Sequence, residues 1–183
     1  AEVHRIAEGA GAAGWSDMDR AVIRMADDLR YDAMISDATW AELRKGYSDR
    51  QVMELLFTSA QYQLVSMALN TLGIQVEPAA VDFIPTDLLL PRTASRPAAP
   101  RLATPRIAPI AVAALTPQQR SIVAAQIQPD GSLLNLYGTM INHPALYAPR
   151  ARFGSYLQRD SMLDPETREL LIMRTAWNIR AEY

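Results

Sequence analysis

Few side chains in this sequence are of the types that perform catalysis. The two histidines, His4 and His143, are not at metal-ligand spacing, and no His-Glu-x-x-His helix is present. His143 precedes Pro144, a place more typical of a residue that hydrogen-bonds a helix end than of a catalyst. With no cysteine among the 183 residues, thiolate nucleophiles, thiolate metal ligands and disulfides are excluded. The sequence therefore predicts no metal site and no cofactor.

The stretch 168–183 holds most of the other candidates. Glu169 stands near the expected start of a helix, at the edge of an apolar stripe. A carboxylate there can relay a proton if a base lies near it; the alternative is a solvated glutamate that the helix dipole favours. Arginine suits a substrate carboxylate, because the guanidinium can bind it with two parallel hydrogen bonds. The candidates for proton transfer are Glu169, Glu182, Tyr183 and His143, and those for binding a substrate carboxylate are Arg174 and Arg180.

Repeated start signals indicate that helices position these residues. A Ser, Thr or Asp at each expected start can accept a hydrogen bond from an amide of the first turn. Several starts also carry a Gln or an Asp at the third helical position, which completes a capping box, or a Pro at the first helical position. The signals are Ser16 with Asp19, Ser36, Ser48 with Gln51, Thr116 with Pro117 and Gln119, and Asp164 with Pro165. They predict five helices in the first and last parts of the chain.

The longest expected helix begins after Ser48 and ends before Gly73, a residue typical of helix C-termini. Its apolar positions recur at the three- and four-residue spacing of a buried face. They are Val52, Leu55, Leu56, Ala60, Leu64, Met67, Ala68 and Leu72. A later helix that begins at Pro144 has an apolar side with Leu146, Phe153, Tyr156 and Leu157. We expect both faces to pack in the core.

The pattern divides the chain into three segments. Residues 1–78 and 111–183 are helical in pattern, whereas residues 79–110 are rich in proline and alanine. Because proline excludes both a continuous helix and a central strand, the middle segment is typical of an extended linker. Strand signals are weak throughout. The sequence predicts an all-α fold built from two helical units and a linker.

Charge and hydropathy limit the expected partners. A net charge of −2 and the absence of a Lys/Arg cluster with interleaved aromatics argue against nucleic acid and anionic membranes as partners. No run reaches the roughly 18 apolar residues of a membrane helix, and no basic-then-apolar leader opens the chain. We therefore expect a soluble, cytoplasmic protein.

Several of these motifs resemble the carboxymuconolactone decarboxylase-like superfamily, which also contains the alkylhydroperoxidase D proteins. The motifs of the last segment are Asn135-Leu136-Tyr137, His143-Pro144-Ala145-Leu146, Phe153-Gly154-Ser155-Tyr156-Leu157 and the stretch 168–183. Those of the first segment are residues 14–21, residues 35–40, residues 54–58 and Gln61-Tyr62. The resemblance covers nearly everything except the linker. It implies the helical bundle of that superfamily.

The resemblance places the two helical segments in reversed order, with 111–183 matching the first half of the domain and 1–78 the second half. This order fits either a circular permutant or the back of one domain, a linker and the front of the next in a tandem protein. The chain begins at Ala1 and ends at Tyr183 inside a helical pattern. We therefore expect a segment that would follow Tyr183 and precede Ala1 to be absent. We also expect a homo-oligomer that completes domains between chains.

The resemblance also bears on the chemistry. Redox-active relatives carry Cys-x-x-Cys and a His, with a Glu twelve residues before the first Cys. By resemblance Glu169 matches that Glu, and Ala181 stands at the first Cys position, so peroxidase activity is not expected. Twelve residues of straight helix span about 18 Å, so Glu169 could meet position 181 only through a helix break or a neighbouring subunit.

The activity that the resemblance implies is a non-redox lyase or isomerase reaction on a small carboxylated or lactone-like molecule. The alternative is a catalytically inactive module of the same fold that serves assembly or ligand binding. A small-molecule ligand and a homo-oligomer are accordingly the expected partners.

Overall fold

The computed structural model describes residues 2–77 and 102–179. Within these ranges the regular structure is helical and contains no strand, which confirms the predicted all-α class. No helix in the same ranges combines the length and the apolar character needed to cross a membrane. The α-helices are α1 (Glu2–Glu8), α2 (Asp17–Tyr31), α3 (Asp37–Gly46), α4 (Asp49–Leu72), α5 (Pro117–Val123), α6 (Asn135–Met140), α7 (Pro144–Ser155) and α8 (Pro165–Ile179).

The predicted helix starts are confirmed by hydrogen bonds. Ser16, Ser48 and Thr116 each accept from the third amide of their helix, and the side chain at that third position accepts from the cap amide in return. Asp164 accepts from the Thr167 amide at 2.8 Å, which starts α8. The end of α4 is also as predicted, because Gly73 adopts φ 65°, a left-handed conformation that glycine reaches without strain.

The main core is formed within one chain by α2, α3, α4 and α8, with α1 packed on α8. Its fully buried side chains include Val22 and Met25 of α2, Leu55 of α4 and Leu171 of α8. Burying side chains of this size stabilises the fold by about 1.5–3 kcal/mol each. The last helix thus packs into the core of the first segment within one chain.

A smaller apolar cluster occupies the part of the chain from Ile110 to Ala151. Leu115, Val123, Ile141 and Tyr147 are its buried members. At Gly138 residues 109–110 pass so closely that an added Cβ would lie 2.9 Å from Pro109 Cβ. Glycine at this position therefore permits the contact between α6 and the end of the proline-rich segment, whose residues 79–101 lie outside the described part.

The predicted apolar face of α4 is correct only for its first half. Val52 and Leu55 are buried, but Leu64 and Met67 are 50% and 55% exposed. In the second half α8 instead covers a face of small polar residues, since the Ser59 hydroxyl lies 3.1 Å from that of Thr175. Small side chains allow two helices to approach closely, and spacing alone does not show which face is covered.

The predicted apolar side of α7 is likewise corrected. Leu157, which follows α7, is buried, whereas Leu146, Phe153 and Tyr156 are 54%, 41% and 46% exposed. The helix ends in a π-helical turn, Tyr156–Asp160. The extra residue of a π turn rotates the side chains that follow it, so the face that holds Leu146 and Phe153 in α7 does not continue to Leu157.

Candidate functional site

Three of the sequence-derived candidates, Arg180, Glu182 and Tyr183, lie outside the described residues. The other three, His143, Glu169 and Arg174, fall at separate places in the fold.

His143 is an exposed helix cap. Its Nδ1 accepts a hydrogen bond from the Leu146 amide at 3.1 Å, at the start of α7. The imidazole therefore serves the helix end, which is the more typical role for a histidine before proline.

Arg174 is engaged in the interior. Its side chain donates to both carboxylate oxygens of Asp27, at 2.7 and 2.9 Å, and to the carbonyl oxygens of Ile6 and Ala7, at 2.6 and 3.1 Å. A guanidinium has five N–H donors, and these bonds occupy four of them. Arg174 thus ties α8 to α1 and α2, and it does not present the fork that would bind a substrate carboxylate.

Glu169 is different, because its carboxylate is exposed on α8. It makes no hydrogen bond and no ion pair to any of the described residues. It is also close enough to the Tyr62 hydroxyl on α4 to act on it electrostatically. A carboxylate without a partner remains available to accept a proton.

Tyr62 is half-buried beside Glu169. The side-chain amide of Gln158 donates a hydrogen bond to the Tyr62 hydroxyl at 2.5 Å. Burial raises the pKa of Tyr62 above 10.0, because it disfavours the phenolate, and the charge of Glu169 raises it further. The Gln158 hydrogen bond and Arg150 act in the opposite direction without reversing the shift. Tyr62 is consequently a protonated hydroxyl that can donate a hydrogen bond.

The π-helical turn after α7 places Gln158 against Tyr62. Turns of this kind are rare and occur frequently at functional sites, because they re-aim a side chain out of the regular helical ladder. Here the turn directs Gln158 across to α4, 96 positions earlier in the sequence.

Two further tyrosines and Arg150 extend the site along α6 and α7. The pKa of Tyr147 is raised, first by its burial and then by the neighbouring Tyr137, while Arg150 lowers it. Arg150 also acts on Tyr62, so one guanidinium lies within electrostatic range of both hydroxyls. Among the described residues, none forms a hydrogen bond or an ion pair with that guanidinium. We name this group the Tyr62 site; it consists of Tyr62, Tyr137, Tyr147, Arg150, Gln158 and Glu169.

This arrangement combines the elements of proton-transfer chemistry. It has an exposed carboxylate that can act as a base, a phenol that stays protonated and can stabilise a developing negative charge, and a cation suited to a substrate carboxylate. Among the described residues, neither Glu169 nor Arg150 makes structural hydrogen bonds of the kind that engage Arg174.

A cavity in the described part of the chain lies elsewhere. It has a volume of about 430 Å³ and is lined by 109–113, 131–133 and Asn135. None of these residues carries a titratable side chain, so the cavity offers no acid–base chemistry. In the described part of the chain, no group of three or more His, Asp or Glu side chains is arranged to hold a metal ion.

Reasoning from the sequence identifies Glu169 but misses its neighbours. Tyr62 enters only as part of a resembling motif, and Gln158 and Arg150 carry no signal in their local sequence. Their association depends on the packing of α4 against the π turn.

Comparison with family models finds no match for this chain, and neither characterised proteins nor solved structures match it significantly.

Proposed function

We propose that this chain is a carboxymuconolactone decarboxylase-like helical domain that carries out non-redox lyase or isomerase chemistry at the Tyr62 site. The substrate we propose is a small carboxylated or lactone-like molecule. The observation that carries the proposal is the exposed Glu169 carboxylate, which makes no hydrogen bond or ion pair to the described residues and lies near the half-buried, hydrogen-bonded hydroxyl of Tyr62. The motifs that resemble the superfamily support it, since Tyr62 and Glu169 both lie in them.

In the proposed reaction Glu169 removes a proton from a carbon next to the substrate carbonyl. The electron pair of that C–H bond forms a carbon–carbon double bond, and the π pair of the carbonyl moves to its oxygen, where the Tyr62 hydroxyl stabilises the enolate by a hydrogen bond. Return of the proton to another carbon of the conjugated system gives the isomer. In the decarboxylation variant, the bond to the carboxylate breaks, its electron pair forms the enolate, carbon dioxide leaves, and the enolate takes a proton that Glu169 relays from solvent.

Arg150 takes the anchoring role that the sequence assigns to Arg174. Its guanidinium has no partner among the described residues and lies within range of Tyr62 and Tyr147. A substrate carboxylate bound there would stand next to the phenol that stabilises the enolate.

The test is an assay of lactone isomerisation and of decarboxylation with small unsaturated lactone carboxylates. We expect Glu169→Gln to lower kcat by about 100-fold or more, because general acid–base groups contribute 10²–10⁴ in rate. Glu166→Gln is the matched control, since Glu166 is exposed on the same helix one turn earlier. We expect Arg150→Gln to raise KM for carboxylated substrates.

Two outcomes would overturn the proposal. One is the absence of turnover by the wild-type chain with every such substrate, and the other is unchanged turnover in Glu169→Gln. Circular dichroism of each variant is the control that checks whether the helical fold is retained.

A further inference from the structure

Helix α4 presents an apolar face to solvent over most of its length. We name this face the α4 stripe; it consists of Met53, Phe57, Ala60, Leu64 and Met67. The four large side chains are between 47% and 57% exposed. Their spacing of four, three, four and three residues aligns them along one side of the helix, over about 21 Å. Monomeric proteins rarely expose a continuous apolar surface of this kind without using it.

Neighbouring residues widen the α4 stripe at its first end. The rings of Phe57 and Phe153 meet edge to face, with centroids 6.1 Å apart. Tyr156 donates its hydroxyl to Glu54 at 2.9 Å, which holds a second exposed ring beside the helix. The patch is therefore a fixed surface formed by α4 and the end of α7.

Four of the five residues of the α4 stripe, from Phe57 to Met67, lie in a part of the sequence without charge. Residues 55–76 include no Asp, Glu, Lys, Arg or His, although charged residues make up 21% of the chain. Between Phe57 and Met67 the helix carries neither a charge that would repel an identical face nor a charge that would select an oppositely charged partner, and the Glu54 carboxylate at the first end is buried and hydrogen-bonded by Tyr156. In a twofold interface the same patch meets itself, so this neutrality suits a second copy of the chain.

We propose that the α4 stripe is the contact face of a homodimer in which two α4 helices pack antiparallel, with Ala60 at the twofold axis. Ala60 is the middle member of the stripe and its smallest side chain, which lets the helix axes approach to about 8–10 Å. The antiparallel arrangement places the exposed Arg50 of one chain near Asn70 of the other and opposes the two helix dipoles. A parallel arrangement would instead bring the two Arg50 side chains together.

The available area agrees with an interface of modest size. Side chains of this kind carry about 200 Å² each, so six that are half exposed present roughly 600 Å² per chain. The six are Met53, Phe57, Leu64, Met67, Phe153 and Tyr156. Stable dimers bury about 800 Å² per partner, and Ala60 with the uncharged polar residues at the edge of the stripe supplies the remainder. This inference concerns a surface and stands independently of the proposed chemistry.

Single cysteine variants test the arrangement directly, because the chain has no cysteine of its own. A disulfide needs Cα atoms within about 7 Å. We expect Ala60→Cys to form a disulfide-linked dimer under mild oxidation at micromolar concentration. Met53→Cys and Met67→Cys should each stay unlinked when alone and link when mixed, since position 53 of one chain faces position 67 of the other. Ser121→Cys, exposed on α5, is the control and should stay unlinked.

Light scattering supplies the second measurement. We expect the wild-type chain to have twice the mass of one chain, and Leu64→Glu to have the mass of one chain with unchanged helical circular dichroism. The matched control is Gln118→Glu on α5, which should leave the dimer intact. A wild-type monomer at all concentrations, a dimer that survives Leu64→Glu, or self-linking of Met53→Cys that indicates a parallel pair would each overturn the proposal.

Discussion

The guanidinium of Arg174 on α8 and the carboxylate of Asp27 on α2 meet through two hydrogen bonds, of 2.7 and 2.9 Å, although 147 positions separate them in the sequence. Asn178 donates a third hydrogen bond to the same carboxylate at 2.8 Å. The arginine also satisfies the carbonyls of Ile6 and Ala7 at the end of α1. One buried cation thus joins three helices. Local sequence signals can predict where helices lie in the chain, but not that these three meet.

We predict that Arg174→Ala destabilises the fold by about 3 kcal/mol, because it leaves the Asp27 carboxylate without its cation and two carbonyls without a donor. Urea unfolding followed by circular dichroism measures the loss. Arg152→Ala, at an exposed position of α7, should change the free energy of unfolding by less than about 0.5 kcal/mol. Equal effects of the two substitutions would show that the pair contributes nothing specific.

Gly9→Ala should destabilise by about 1–2 kcal/mol, because Gly9 has φ 84°, where residues with a Cβ are strained. The added Cβ would also lie 2.6 Å from Nη2 of Arg174 and displace it. Gly11→Ala is the matched control, since its Cβ would meet nothing within 4 Å. Thermal unfolding of the two variants should separate them, and a Gly9→Ala variant as stable as Gly11→Ala would contradict the described geometry.

Thr58 and Thr175 should respond oppositely to replacement by valine. The Thr58 hydroxyl is buried and has no hydrogen-bond partner among the described residues, so Thr58→Val should stabilise by about 1 kcal/mol. The Thr175 hydroxyl is bonded to Ser59 at 3.1 Å, so Thr175→Val should destabilise by about 1–2 kcal/mol. Chemical denaturation gives both values. Destabilisation by both substitutions would mean that Thr58 has a partner.

The pKa of Tyr62 should move in opposite directions in two variants. Burial and then the Glu169 charge raise it, so Glu169→Gln should lower it, whereas Gln158→Leu should raise it by removing a hydrogen bond that favours the phenolate. Absorbance titration of phenolate formation, with Tyr62→Phe as the reference, measures these shifts. Glu166→Gln should cause none.

The raised pKa of Tyr62 also predicts how the free energy of unfolding changes with pH. The folded state holds Tyr62 protonated to higher pH than the unfolded state does. The contribution of Tyr62 to the free energy of unfolding is therefore complete below about pH 10 and is lost as the pH rises through the pKa of the folded state. Tyr62→Phe should therefore reduce the fall in stability at alkaline pH. An unchanged alkaline slope would contradict the burial of this hydroxyl.

The sequence by itself determined several helix boundaries and the all-α class. Ser16, Ser48 and Thr116 each cap a helix by hydrogen bonds to a residue three positions later in the sequence. Gly73 ends α4 through its own backbone conformation. Interactions of such short range are contained in the local sequence. For the same reason the exposed position of Glu169 near a helix start could be inferred without a structure.

Tertiary structure decided which faces are covered and which side chains meet. Spacing shows that α4 has an apolar stripe, but only packing shows that α8 covers the opposite side, through Ser59 and Thr175. By residue type, Arg174 could bind a substrate carboxylate. Only its contact with Asp27 in the folded chain shows that it has a structural role in the interior. The bond from Gln158 to Tyr62 joins positions 96 apart. Contacts at such separations depend on how helices pack, which no local pattern specifies.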